Sequence, residues 1–449
     1  MRRYVEGVVN QYDLRPHLRL GNGVSQVEWD DTKAWYRVSM DDGGTATYRF
    51  VISAVGFLNV PKYPDWSGLD TFHGPAFHTA RWEPEHDLAG KRVGVVGTGS
   101  SAAQVVPAIA PVVGELILFQ REPGWVEPKS VTHFSESAQA INSAWGRRWA
   151  RWKLLLLADY EYAAGIYRPG SRLNRRRQRS CEQYLQEVFR DRPDLLKIMT
   201  PDYPYLCKRR VKSNDFLPAL RRDNVTVVPK AVTAATRSGV VDADGCHHEL
   251  DVLILATGFK AVDYLDSVRV VGRDGRTLQA HWGGEPYAFL GVMVPAFPNF
   301  FMLYGPNTNG GHIVPNLEQQ AKFAARRISG ARRRGAVSVA VRSRPTRWFN
   351  SWLQRGMRRT AFSSGCNNYY RSASGRVVTA WPFTLALYRL MLATLGRPAV
   401  SYRRPEPTAA PGGDQSVSIR SKRTGAEGSR AVTAGPASRA GEDTDIEHR

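Results

Sequence analysis

The sequence predicts an α/β fold built from doubly wound, nucleotide-binding units, and three stretches carry that expectation. Residues 91–121, KRVGVVGTGSSAAQVVPAIAPVVGELILFQR, read strand, glycine turn, helix, strand, in the order and length of a βαβ unit. Residues 247–258, HHELDVLILATG, are an apolar run suited to a buried parallel strand that ends in a glycine turn. Residues 304–312, YGPNTNGGH, form a glycine loop ahead of a helix expected over 315–327.

In chain order, residues 4–15 have the pattern of the end of an amphipathic helix. Residues 18–54 alternate as VSQVEW, WYRVSM and TATYRFVIS, with turns at Asp30-Asp31 and 41–44, which predicts an antiparallel meander. The run FVISAVG ends in Gly56. A Pro-rich connection, NVPKYPDWSG, leads to FHGPAFHTARWE over 72–83.

The βαβ unit follows. Val-rich residues 93–96 suit a buried parallel strand. Gly97-Thr98-Gly99-Ser100-Ser101-Ala102 matches G-x-G-x-x-G/A. Gly97 permits the tight turn, Gly99 lets a pyrophosphate approach the backbone, and small Ala102 lets helix pack on strand. The helix expected over 103–110, with Pro107 at a kink or in its first turn, aims free N–H groups at the phosphates. The second strand, 115–120, runs into Arg121. An NAD site carries an acidic residue there for the ribose 2′-hydroxyl, whereas arginine suits a 2′-phosphate, so NADPH is expected. Glu122 follows directly.

Residues 140–200 read as helical and Arg-rich, with Trp145, Trp149 and Trp152 interleaved. Such a helix can stack on nucleic acid. A face half in the core and half solvated is the reading preferred here. Residues 205–214, YLCKRRVKSN, form a basic loop, and 224–228 a strand. From Arg403 onward the chain is Pro, Gly, Ser, Thr and charge, the composition of a disordered tail.

The 449 residues suffice for two or three domains, and 42% hydrophobic content for a sizeable core. Lys+Arg exceeds Asp+Glu by 62 − 41, a net charge of +21, a balance found in proteins that bind nucleic acid or anionic membrane. There is no zinc-finger spacing and no RNP-type aromatic–basic motif, so phosphate-bearing cofactors are expected as partners rather than nucleic acid. Cys181, Cys207, Cys246 and Cys366 lack C-x-x-C spacing, which predicts free thiols in a reducing cytoplasm. No apolar run reaches the length of a membrane span, and MRRYVEG lacks an apolar signal core.

A family resemblance joins these stretches. Phe72-x-Gly74-x-x-x-His78-x-x-x-Trp82 resembles the Baeyer–Villiger monooxygenase signature F-x-G-x-x-x-H-x-x-x-W, with Glu83 where Pro or Asp follows. As a connector between nucleotide domains it would anchor through Phe72 and Trp82, while His78 bonds backbone or cofactor and relays domain movement. LDVLILATGF, 250–259, resembles the second fingerprint of flavin monooxygenases, and Ala54-Val55-Gly56 the same kind of crossing. GPNTNGGH resembles the loop beside the isoalloxazine ring. Cys366-Asn367-Asn368-Tyr369-Tyr370, with Gly375-Arg376 and Trp381-Pro382, resembles the C-terminal C-x-S-W-Y…G…W-P pattern, with Tyr369 where Trp is common. The resemblance runs from about Tyr4 to Trp381.

It implies two doubly wound domains, an NADPH domain inserted in an FAD domain. Residues 1–84 would be a partial FAD domain and linker. Residues 85–245 would be the NADPH domain, with a helical insertion over 135–200; 246–402 would complete the FAD domain, and 403–449 form the tail. It implies that NADPH reduces FAD, that reduced flavin binds O2, and that a flavin C4a-peroxide converts a ketone to an ester or lactone. Lys208, with Arg121, would hold the 2′-phosphate. Arg209 would hold the negative charge of the oxygenated flavin, a task suited to a guanidinium that stays charged; Arg210 leaves this register open by one. Thr257, Gly258, Asn307 and Thr308 would also contact cofactor, and no metal is implied. N- or S-oxygenation or hydroxylation, and a flavin-free binding protein, are the other readings. The family's first G-x-G-x-x-G, its ribose-binding acid and an acidic partner for the arginine do not appear in residues 1–60, where Gly21-Asn22-Gly23 is a turn between strands. The expectation is an FAD domain without its first βαβ unit, through a late-assigned start, a truncated gene or a second chain that supplies it.

Overall fold

The computed structural model describes residues 2–129, 144–311 and 313–405. Its organising element is a parallel sheet ordered Val225–Val228, Glu115–Phe119, Arg92–Val96, Val252–Leu255, Ala76–His78. Successive side chains leave a strand on opposite faces. Val93, Val95, Leu116, Leu118 and Ile254 pack on one face against the helix Ala102–Ile109 and the segments around Leu185, Met199 and Phe216. Ile117, Phe119, Leu253 and Leu255 pack on the other. There they meet an antiparallel ribbon of Val232–Thr236, Gly239–Asp242 and His247–Glu249. Pro107 lies inside the helix Ala102–Ile109 rather than in its first turn.

The sheet reaches past the expected 85–245 boundaries at both ends. Ala76–His78, read from sequence as an interdomain connector, is its edge strand. Val252–Leu255, counted from sequence within the 246–402 part of the FAD domain, lies between two parallel neighbours. All four residues of Val252–Leu255 are buried, so the strand needs cover on both faces. An apolar run announces that burial without naming the sheet that provides it.

The meander forms as Val24–Asp30, Trp35–Met40 and Thr45–Tyr48, and Arg269–Val271 joins it in parallel beside the first strand. Trp29, Tyr36, Val38, Val270 and Phe300 fill its core, and the Tyr36 hydroxyl donates to the Pro298 carbonyl at 2.8 Å. The meander ends earlier than its alternation suggests. Val51–Ser53 departs to pair in parallel with Phe300–Met302. On the C-terminal side, Ile313–Arg333, Ser343–Met357 and Leu385–Thr394 surround a core of Phe289, Phe323, Phe349, Trp381 and Tyr388. The helix Arg2–Gln11 leaves Tyr4 and Val5 exposed.

The chain through Pro405 forms one compact unit. The expected tail beyond it, the first part of the helical insertion and His312 lie outside the described residues. The expectation of four free thiols is corrected: Cys207 and Cys366 are bonded to each other, 159 residues apart in sequence. Absence of C-x-x-C spacing does not exclude a long-range pair that the fold brings together. Cys181 and Cys246 are free, and burial pushes the Cys181 thiol up to about 12. Among the described residues no helix is long and apolar enough to cross a membrane.

Candidate active site

The glycine turn sits at the end of the central strand Arg92–Val96. Gly97 has φ +111°, and a Cβ there would lie 2.6 Å from the Ala256 carbonyl oxygen, so the turn admits only glycine. Gly97 N–H donates to Phe119 O at 2.9 Å and the Thr98 hydroxyl to Glu122 O at 3.2 Å, which tie the turn to both strands. Nothing lies within 4 Å of the Cβ position of Gly99. Ala102 is fully buried against the sheet, and the first helical bond is Ala103 N–H to Gly99 O. The N–H groups ahead of it at Ser100, Ser101 and Ala102 therefore open the helix end toward an anion. A dinucleotide pyrophosphate fits this cradle.

Beside it lies the basic loop. Lys208 forms an ion pair with Glu122 and rests 4.6 Å over the Tyr203 ring. Burial, and then the neighbouring Arg121, lower its ammonium pKa to about 8, against the pull of Glu122. Arg121 is exposed. The two cations that sequence reading pairs at a 2′-phosphate are close enough to repel each other, an arrangement that an added phosphate dianion would relieve.

The next two residues part company. Arg210 points inward, its Nε 2.6 Å from Glu127, whose side chain is 9% exposed. Arg177 and Lys212 share the same carboxylate. Arg209 has an exposed side. Burial of its inner side works against its charge, but Tyr369, which bonds it, together with Tyr370 and Tyr304 outweighs this and raises its pKa. No carboxylate pairs with Arg209 among the described residues. The Cys207–Cys366 bond fastens this loop to the segment that carries Tyr369 and Tyr370.

The signature residues do separate jobs. Phe72 is buried in the core on the ribbon side of the sheet. A Cβ on Gly74 would lie 2.2 Å from the Asp251 carbonyl oxygen and 2.9 Å from the Phe72 ring. His78 is fully buried between Tyr63 and Phe259, its ring 5.6 Å from each. Its Nδ1 accepts from Ala80 N–H at 3.0 Å, leaving the proton on Nε2 beside the Gly258 backbone, and burial lowers its pKa, so the ring is neutral. Trp82 is not an anchor sunk in apolar surface: it is 40% exposed and lies edge-on to Phe77.

The ATG turn and the second glycine loop complete the site. The Thr257 hydroxyl donates to Lys62 O at 2.5 Å, and Gly258, at φ +85°, has open space at its Cβ position. Asn307 and Thr308 are buried. Asn307 Nδ2 donates to the Val377 and Ala380 carbonyls, and the Thr308 hydroxyl to Gly305 O at 2.7 Å. The Asn307 amide holds the loop against residues 377–380, and the Thr308 hydroxyl ties the loop to itself. The loop's accessible groups are the half-buried Tyr304 side chain, its hydroxyl bonded to Asn309 Oδ1 at 2.8 Å, and the backbone at Gly311; Gly310 is buried and its carbonyl accepts from Asn316.

A flavin-binding monooxygenase-like family model matches residues 1–137. A Baeyer–Villiger monooxygenase of Streptomyces coelicolor is 36% identical over 398 residues, which are 87% of this chain and 75% of that protein. The chain belongs to the Baeyer–Villiger monooxygenase family. Among solved structures, cyclohexanone monooxygenase from Rhodococcus sp. Phi1 bound to NADP+ superposes with a TM-score of 0.79 at 28% identity, covering 90% of this chain and 84% of that one. OTEMO in complex with FAD and NADP superposes at 0.79 and 25% identity, covering 89% and 84%. The fold is the α/β fold of these enzymes, and the family is one of FAD- and NADPH-dependent monooxygenases.

For a Baeyer–Villiger monooxygenase, several site groups escaped sequence reading. Tyr203 under Lys208 and Glu127 behind Arg210 belong to no motif, and Tyr304 beside Arg209 opens the 304–312 stretch without a role assigned from sequence. The pattern Lys208-Arg209-Arg210 holds a usable signal. Three consecutive cations need three separate surroundings, so a buried acid was to be expected for one of them.

Proposed function

We propose that this chain oxidises ketones to esters or lactones, with Arg209 as the arginine that serves oxygen transfer and Arg121 and Lys208 as the selectors of NADPH. The carrying observation is the divergence of Arg209 and Arg210. Arg210 is committed to a buried carboxylate, while Arg209 keeps an open side among tyrosine hydroxyls. Bound flavin supplies the chemistry with O2. Arg209 places a fixed positive charge where oxygen carries negative charge during the reaction, and Tyr369 orients it. Lys208 holds the nicotinamide cofactor from the adjacent position, so one short loop positions both functions, braced by the Cys207–Cys366 bond.

The residues fit NADPH closely through the 97–102 cradle and its cations. For FAD they fit the ring end, at Arg209, Tyr304 and the Gly311 backbone. Residues 1–60 hold no G-x-G-x-x-G for its pyrophosphate.

In flavin-loaded enzyme, Arg209→Ala is expected to keep oxidising NADPH and releasing peroxide while ester formation falls at least about a hundredfold. Arg210→Ala is expected to lower stability instead, because it removes the nearest of the cations that pair with the buried Glu127. Ester formation at the normal rate in Arg209→Ala would refute the assignment. Loss of ester formation confined to a stably folded Arg210→Ala would move it by one residue.

A further inference from the structure

The helix Ala144–Ala163 presents the molecule's least explained surface. Its packed side is short. Ala158 is buried, Asp159 accepts from the N–H groups of Leu385 and Ala386, and Arg151 pairs with Glu318. Trp145, Trp149, Trp152, Leu156 and Tyr160 recur at i, i+4, i+7, i+11 and i+15, one stripe of the helix. That stripe faces solvent, with Trp145 75% and Trp149 and Trp152 each 54% exposed. The expectation of a half-buried Trp face is therefore overturned: the polar Arg151 and Asp159 contact the protein, and the tryptophans face outward.

We propose that this stripe docks the enzyme on an anionic phospholipid surface, with the three indoles seated among the headgroups. Tryptophan favours that interface because its ring is apolar while its N–H still finds an acceptor there. No acceptor for these three indole N–H groups occurs among the described residues. Arg148 and Lys153 flank the stripe, the carboxylate beside it, Asp159, is taken up by the N–H groups of Leu385 and Ala386, and the chain carries +21 overall, so the charge suits an anionic layer. A helix with an apolar stripe and basic flanks lies on a bilayer rather than across it, which agrees with its sequence being too polar to span.

The ring geometry disfavours single-stranded nucleic acid. Trp149 stacks on Trp145 at 6.2 Å and 6° and on Trp152 at 5.5 Å and 26°. Its neighbours thus occupy the ring faces that bases would need, while the edges remain free to enter a headgroup layer. At its far end the helix reaches the candidate site. The Tyr162 hydroxyl is 2.5 Å from the position a Cβ on Gly310 would take, so a docked enzyme would hold its second glycine loop near the bilayer.

Vesicle co-sedimentation of the full chain tests this, with phosphatidylcholine vesicles compared with phosphatidylglycerol-containing ones. The expected result is binding to the anionic vesicles at low salt, a blue shift of indole emission, and loss of binding as salt rises. Trp145→Ser/Trp149→Ser/Trp152→Ser should weaken binding about tenfold or more while NADP+ binding stays unchanged. Arg148→Glu/Lys153→Glu keeps the indoles and should lose the preference for anionic vesicles; it carries the test if the triple variant fails to fold. Absence of vesicle binding at low salt would overturn the proposal, as would equal binding by wild type and both variants. It would also be overturned if the stripe substitutions abolished only self-association, or only binding to single-stranded DNA.

Discussion

Lys208 sits half-buried beside Arg121, and these two facts bring its ammonium down to about 8. Below that pH it is protonated and attracts a 2′-phosphate; above it the charge is lost. The dissociation constant for NADPH is therefore expected to rise as pH climbs through about 8, while that for NADH stays nearly level. Lys208→Arg should flatten the NADPH profile because a guanidinium stays charged across this range. Fluorescence titrations of both cofactors from pH 7 to 9 would reveal it, and parallel profiles would contradict it. In the proposed function Arg121 acts on the same phosphate. A charge-assisted bond to phosphate contributes roughly 1.5–3 kcal/mol, so Arg121→Ala should weaken NADPH about tenfold or more and leave NADH almost unaffected. Equal losses for both would remove Arg121 from the phosphate site.

The edge strand Ala76–His78 does more than connect. It completes the parallel sheet beside Val252–Leu255 and brings His78 over the ATG turn. Gly74 makes this possible by letting the chain pass against the Asp251 carbonyl, where no side chain fits. Gly74→Ala is therefore expected to destabilise the protein by about 1–3 kcal/mol through overpacking, read as a lower urea midpoint with an unchanged slope. It should also weaken NADPH binding, because the strand that it displaces borders the glycine-turn sheet. An unaltered midpoint would show that the strand accommodates the methyl group by shifting.

At the scale of the whole molecule, the two cofactors meet unequal frames. The side proposed to take NADPH has a five-stranded parallel sheet covered on both faces, a glycine cradle and flanking cations. On the other side the parallel pairings are short, Val51–Ser53 with Phe300–Met302 and Arg269–Val271 with Val24–Asp30, and Ile52, Val55 and Leu58 are exposed. This chain is expected to purify with NADP+ affinity intact and with FAD well below one per chain. Flavin absorbance per mole of protein measures it, and near-stoichiometric FAD would show that the ring-end contacts suffice. The exposed apolar residues also predict a tendency to aggregate, which light scattering would follow.

How much of this could be read from residues alone depends on the range of the interactions involved. The glycine turn, the Arg121 position, the signature and the ATG strand were legible because each depends on local geometry. A φ of +111° at Gly97 or a methyl-free approach at Gly74 requires particular residues at particular spacings. Family membership followed from the same local patterns. The sheet that receives Val252–Leu255, the Cys207–Cys366 bond, the commitment of Arg210 to Glu127 and the burial of Asn307 and Thr308 were not legible. Each pairs residues from far apart in the chain, or turns a side chain by the packing around it. The Trp145–Trp149–Trp152 stripe shows the divide most plainly. Its periodicity is written in the sequence, but only the tertiary structure, by seating Ala158 and Asp159 inward, decided that the indoles face water.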